Sequence, residues 1–96
     1  LDEILTRCEV IDVGGDGGGL DDLLGLAVMG REAGTRRWFH WAHAWAHPSV
    51  LERRKSEAPR LRDLEKAGDI TIVERIGDDV EQFAAIVARV NDTGLL

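Results

Sequence analysis

The chain has 96 residues, 44% of them apolar and 31% charged, with a formal net charge of −6. This is enough for one domain with a modest core, and too little for two. The acidic balance argues against a stand-alone module that holds nucleic acid by bulk electrostatics, but not against an acidic site that meets nucleic acid through a bound cation.

In chain order, Glu9 to Val13 is rich in β-branched residues and stops at Gly14 and Gly15, which predicts a first strand. Cys8, the single cysteine, excludes an internal disulfide and a Cys-rich zinc site, and reads as a small buried hydrophobe of that strand. Leu23 to Met29 is an apolar run broken only by Gly25. Its length and glycine content favour a second strand, covered on both faces, over a helix. Arg31 to Arg36 is a polar turn in which Gly34 can take positive φ. Arg37 to Ala46 then forms the third strand of a meander.

A transition follows at "HPSVLERRK". Ser49 and Glu52 have capping-box spacing with Pro48 just outside, which predicts a helix start. That helix turns Val50, Leu51, Ala58, Leu61 and Leu64 inward. Pro59 should kink or split it, and Gly68 should stop it. Ile70 to Ile76 reads as a strand. Asp78 or Asp79 then caps a last helix with Val80, Phe83, Ala84, Val87 and Val90 inward. The predicted order is β-β-β-α-β-α, without internal repeats.

Between the first two strands lies "GGDGGGLDD". As a phosphate-binding loop it fails: Leu20 and Asp21 follow Gly19 where a Walker loop needs Lys and Ser or Thr, and the spacing of Gly15 and Gly17 breaks the dinucleotide fingerprint at Leu20. Two readings stay open. One is a solvated acidic loop. The other is a carboxylate site for a hard cation, with Asp16 at a strand end, glycines leaving room around it, Asp12 on the same face, and Asp22 beside it across the hairpin. Mg²⁺ keeps several waters, so one or two carboxylates from a segment are enough to contribute.

The run "WFHWAHAWAH" is ambiguous in a different way. On a helix His40, His43 and His47 would share a face and could hold zinc. On a strand Trp41, His43, Trp45 and His47 face one way, while His40, Ala42, Ala44 and Ala46 face the other, the alanines suiting close helix packing. Base stacking by the aromatic residues is a further alternative. Arg53, Arg54, Lys55, Arg60 and Arg62 share their helix with Glu52, Glu57, Asp63 and Glu65, so a solvated, salt-bridged face is the simplest account and phosphate contact the lesser alternative. Glu74 could serve as a second metal ligand, but reads more simply as the solvent-facing residue of its strand.

Three stretches, "DGGGLDDLLGLAVMGRE", "WAHAWAHPSVLERRK" and "GDITIVERIGDDV", resemble the nuclease domain of tailed-phage and prophage terminase large subunits. The similarity runs over nearly the whole chain. It implies an α/β, ribonuclease H-like fold: a β-meander followed by alternating helix and strand, here truncated, with residues 1–96 a single partial nuclease domain. The implied activity is metal-dependent endonucleolytic cutting of concatemeric double-stranded DNA during genome packaging. The implied cofactor is a pair of Mg²⁺ or Mn²⁺ ions. By the same resemblance Asp16 is the catalytic first-strand aspartate and a metal ligand, and Asp22 a second metal ligand. Terminase small subunit and portal protein are the implied partners, and the bacterial host cytoplasm the implied location.

The chain begins at Leu1 rather than Met and stops after "NDTGLL", where a further strand would fit, so a fragment is expected. In the resembled family the remaining acidic ligands lie on a later strand, expected beyond Leu96, and near the domain end, with a packaging ATPase domain before Leu1. The fragment is therefore expected to bind Mg²⁺ weakly and cut nothing alone. No apolar run approaches the ~20 residues needed to cross a bilayer, and no signal peptide is visible.

Overall fold

The computed structural model describes residues 1–18 and 23–96. Helix α1 (Asp2–Arg7) leads into strand β1 (Cys8–Gly17), followed by β2 (Leu24–Glu32) and β3 (Trp38–Ala46). Helices α2 (Pro48–Arg53) and α3 (Ala58–Ala67), the short β4 (Ile70–Ile72) and α4 (Asp78–Asn91) complete the described elements. The strands form one mixed sheet in the order β1-β2-β3-β4, antiparallel except where β4 runs parallel to β3. The protein is therefore α/β, with the predicted meander at its start.

Side chains alternate across a strand, so the register assigns each residue a face. Asp16, Gly25, Ala44 and Ile70 stand in one row across the sheet, and Val13, Val28 and Trp41 in another on the opposite face. That opposite face packs with α1 and α4 in the main core, which joins Ile4, Cys8, Ile11, Leu26, Val28, Trp45, Val73 and Val90. Cys8 and Ile11 are three residues apart yet both buried. A bulge between Cys8 and Val10 shifts the phase of the strand and makes this compatible with a period of two. A second core of Ala46, Val50, Leu61 and Ile70 sits under α2 and α3.

The differences from the sequence reading have local causes. The first strand is longer than Glu9 to Val13, because Gly14 to Gly17 stay paired with Leu24 to Ala27. Pro59 splits the expected long helix: α2 ends at Arg53, and α3 begins afresh with proline in its first turn, where the missing N–H costs nothing. His47, not Ser49, is the N-cap of α2, and Pro48 is its first helical residue. Gly68 ends α3 at φ 85°, as expected of a left-handed cap. β4 stops at Ile72, so Glu74 lies exposed beyond the strand rather than within it. Gly77 rather than Asp78 or Asp79 is the N-cap of α4.

The inward stripe of α4 is also rotated. Val80 is 59% exposed and Ala84 is exposed, while Asp79, Phe83, Ile86, Val87 and Val90 face the protein. Among the described residues no helix is long and apolar enough to cross a membrane.

Candidate functional site

On the face away from α4, only the β3–β4 side of the sheet is covered by α2 and α3. The rest is a trough of about 740 Å³ whose floor is Gly14, Gly25, Ala27, Ala42 and Ala44, with Leu64 among its wall residues. Small side chains keep the floor low and close to backbone. Asp16 borders the trough from β1 and Asp69 from the opposite side.

Asp16 is exposed and is the penultimate residue of β1. Its Oδ1 accepts a hydrogen bond from the Gly17 backbone N–H at 2.8 Å. Asp12 repeats the arrangement, its Oδ1 accepting from the Val13 N–H at 2.9 Å. The two carboxylates share a face, as alternation predicts, but four strand residues separate their backbones by roughly 13 Å. Asp69, three strands across beside Ile70, is about 14 Å from Asp16. Ligand oxygens lie about 2.0–2.6 Å from a Mg²⁺ or Ca²⁺ ion, so these carboxylates do not meet at one ion. Among the described residues no group of three His, Cys, Asp or Glu side chains is placed to hold a metal. Asp22, the other expected ligand, lies outside the described residues.

The glycines also have a different use from the one expected. The room around Asp16 comes from Gly14, whose missing side chain faces open space. Gly15 points to the opposite face, where a Cβ would come within 2.5 Å of the Phe83 ring, so its bareness seats α4 on the sheet.

The zinc alternative is excluded by the strand geometry. His40 is exposed on the trough face, while His43 is on the other, its Nε2 2.7 Å from Thr71 Oγ1. His47 lies past the strand end, its Nε2 3.3 Å from Asp79 Oδ2. A period of two separates His40 from His43, and the three imidazoles do not converge. The Trp/His face is more fully used than expected. Trp45 is buried and donates its indole N–H to Gln82 Oε1 at 2.9 Å, and Trp41 stacks on His43 with ring centroids 5.9 Å apart. Burial pushes the His43 imidazole below its ordinary 6.5, with Asp69 and the Gly68 backbone opposing the shift.

The basic cluster is solvated, as the simpler account holds. Arg62 pairs with Glu65 at 2.9 Å on α3, and Arg54 with Glu57 at 3.8 Å in the turn between α2 and α3. Sequence reasoning missed two polar links: His47–Asp79, and Glu32 held by Arg7 at 2.7 Å and by the Thr35 hydroxyl at 2.7 Å. His47–Asp79 and Arg7–Glu32 have no spacing signal, since each joins segments set by the tertiary fold, whereas Thr35 reaches Glu32 within the turn that follows β2.

Fold and site together define a small α/β protein with an open, small-residue trough edged by carboxylates. Compared with known proteins, the chain matches no family model, and neither a curated protein nor a solved structure is significantly similar to it.

Proposed function

We propose that this chain is the N-terminal portion of a ribonuclease H-like, metal-dependent nuclease domain of a phage or prophage terminase large subunit, acting on double-stranded DNA in the bacterial cytoplasm. The observation that supports this reading is the position of Asp16. It stands exposed one residue from the end of the first strand of a three-strand meander, on the rim of a trough with a glycine and alanine floor.

The fit to the metal is incomplete. Asp16 supplies one carboxylate, and the other described acids stand too far away to share its ion. In a completed domain Asp16 would hold one edge of the metal site, with Asp22 the next candidate. Divalent ions there would activate water and stabilise the leaving oxygen of a phosphodiester. No step is assigned to the residues described, and the chain alone is expected to cut nothing. Terminase small subunit and portal protein are the partners this reading brings with it.

A plasmid-nicking assay with Mn²⁺ tests the proposal, using a chain extended by about 100 residues past Leu96, a domain's worth, and its Asp16→Asn variant. Nicking by the extended chain and its loss in Asp16→Asn is the expected result. Equal nicking by both removes Asp16 from the site, and no nicking by either removes the nuclease reading. The separation of the described carboxylates favours a second reading, a non-catalytic binding module on the same fold, which the last outcome supports.

A further inference from the structure

β1 is an outer strand of the sheet, and one backbone contact shows how its free edge is used. The Ile11 N–H, which points away from β2, donates to the Leu95 carbonyl at 3.0 Å. Alternate residues of a strand present their backbone groups to the same side, so Val13, Gly15 and Gly17 also point outward. Two of these amides are covered by side chains of their own strand: Val13 N–H by Asp12, and Gly17 N–H by Asp16. Such covering, with negative charge along the edge, is how an outer strand resists indiscriminate pairing.

Beside the same edge is an apolar cavity of about 420 Å³, lined by Phe83, Ala84, Val87, Ala88, Asn91 and Leu96. Two of its lining residues place it near β1. Phe83 lies against Gly15, and Leu96 follows the residue bonded to Ile11. An outward backbone ladder next to a cavity for alternate side chains is the arrangement by which proteins take up an extended peptide as an added strand.

We infer that the outer edge of β1 and the α4 cavity form a strand-addition site for an extended peptide with apolar residues on one face and Lys or Arg on the other. The ladder extends from Leu95 along Val13, Gly15 and Gly17. The peptide's apolar side chains enter the cavity beneath. Asp12 and Asp16, both exposed on the opposite face, give up the amides they cover and face the peptide's cations as cross-strand neighbours. This charge pattern also sets the choice of occupant. A second copy paired edge to edge would bring Asp12 and Asp16 of each chain against the other's acids, whereas a basic strand neutralises them. The inference stands on the strand edge and cavity and deepens the reading of the chain as a binding module; in the nuclease reading Asp16 would hold a metal ion instead.

The test is binding of an end-capped, fluorescein-labelled nonapeptide of alternating valine and lysine to the whole chain, followed by anisotropy. The control is the same peptide N-methylated on one set of alternate amides, then on the other, which keeps charge and composition but removes ladder donors. Saturable binding, weakened about tenfold by one N-methyl set and by Ala88→Trp, is expected, with slowed hydrogen exchange at Val13 and Gly15. Ala88 is exposed on α4, so the tryptophan fills the cavity without entering the core. Equal binding of all three peptides would reduce the contact to charge alone and overturn the inference. So would an absence of binding, or sedimentation showing that the chain pairs with itself and excludes the peptide.

Discussion

His47 Nε2 and Asp79 Oδ2 lie 3.3 Å apart, with the two side chains only 7% and 6% exposed. His47 caps α2 at the end of β3, and Asp79 belongs to the first turn of α4, so this one contact ties together the two helical layers on opposite faces of the sheet. Removing one partner of a buried pair leaves the other desolvated and unsatisfied. Asp79→Ala is therefore expected to cost about 3 kcal/mol, and Asp79→Asn, which keeps an acceptor, markedly less. Urea unfolding midpoints of the three proteins check this. Equal midpoints for Asp79→Ala and wild type would show that the contact contributes nothing.

Two glycines of the meander should respond oppositely to alanine. A Cβ on Gly30 would fall 2.5 Å from Cys8 Sγ and 2.8 Å from Ile4 Cγ2, in the seam where α1 lies on the sheet. Gly30→Ala must push that helix away, at a cost of about 1–3 kcal/mol. A Cβ on Gly14 meets nothing within 4 Å, and alanine there reduces the freedom of the unfolded chain. Thermal melts should show Gly30→Ala lowered by several degrees, on the order of 4–8 °C per kcal/mol for a chain of this size, and Gly14→Ala level or raised.

Cys8 should be a slow thiol. It is buried, and burial pushes its ionisation above the ordinary 9.0, with the Glu32 charge pushing the same way and Arg7 opposing. Only the thiolate attacks a disulfide reagent. Reaction with a chromogenic aromatic disulfide at neutral pH is expected to be at least about tenfold slower in the folded chain than in urea. Comparable rates in the two conditions would contradict the burial.

What could be read from the sequence and what could not divides along the range of the interactions. The meander, the break at Pro59, the stop at Gly68 and the two faces of "WFHWAHAWAH" are set by period, proline and glycine, all local. The six-residue α1 escaped because it spans under two turns and carries one buried residue, Ile4, too little for a periodic signal. The stripe of α4 was misjudged because Asp79 is inward through its contact with His47, while Val80 is outward; apolar spacing alone ranks them the other way. At the candidate site, alternation correctly put Asp12 and Asp16 on one face. It could not give the neighbours of β1 across the sheet, so the distance from Asp16 to Asp69 had to come from the strand order. The use of Gly15 as a seat for Phe83 is likewise a contact between segments far apart in sequence.

His43 should make stability depend on pH in the mildly acidic range. Burial holds its imidazole below the ordinary 6.5 in the folded protein, with Asp69 and the Gly68 backbone acting against it. Trp41, Trp45 and Thr71, which contact the ring, carry no charge near neutral pH, so Asp69 is the charged group that acts on it. A base whose folded pKa is depressed is equally neutral in both states well above 6.5, so its contribution to stability is fully present there. As pH falls through 6.5, the unfolded chain takes up a proton that the folded chain refuses, and stability declines until the folded pKa is passed. Unfolding midpoints should therefore fall between about pH 7.5 and about pH 5.5, and less steeply in His43→Gln, whose amide can still reach the Thr71 hydroxyl. Glu32 does not confuse the comparison. Its carboxyl is held below the ordinary 4.5, first by the Thr35 hydroxyl and, against the opposing effect of burial, by Arg7, so the stability it contributes is lost only at lower pH. An identical pH slope in wild type and His43→Gln would mean that the histidine is as free to charge in the fold as out of it.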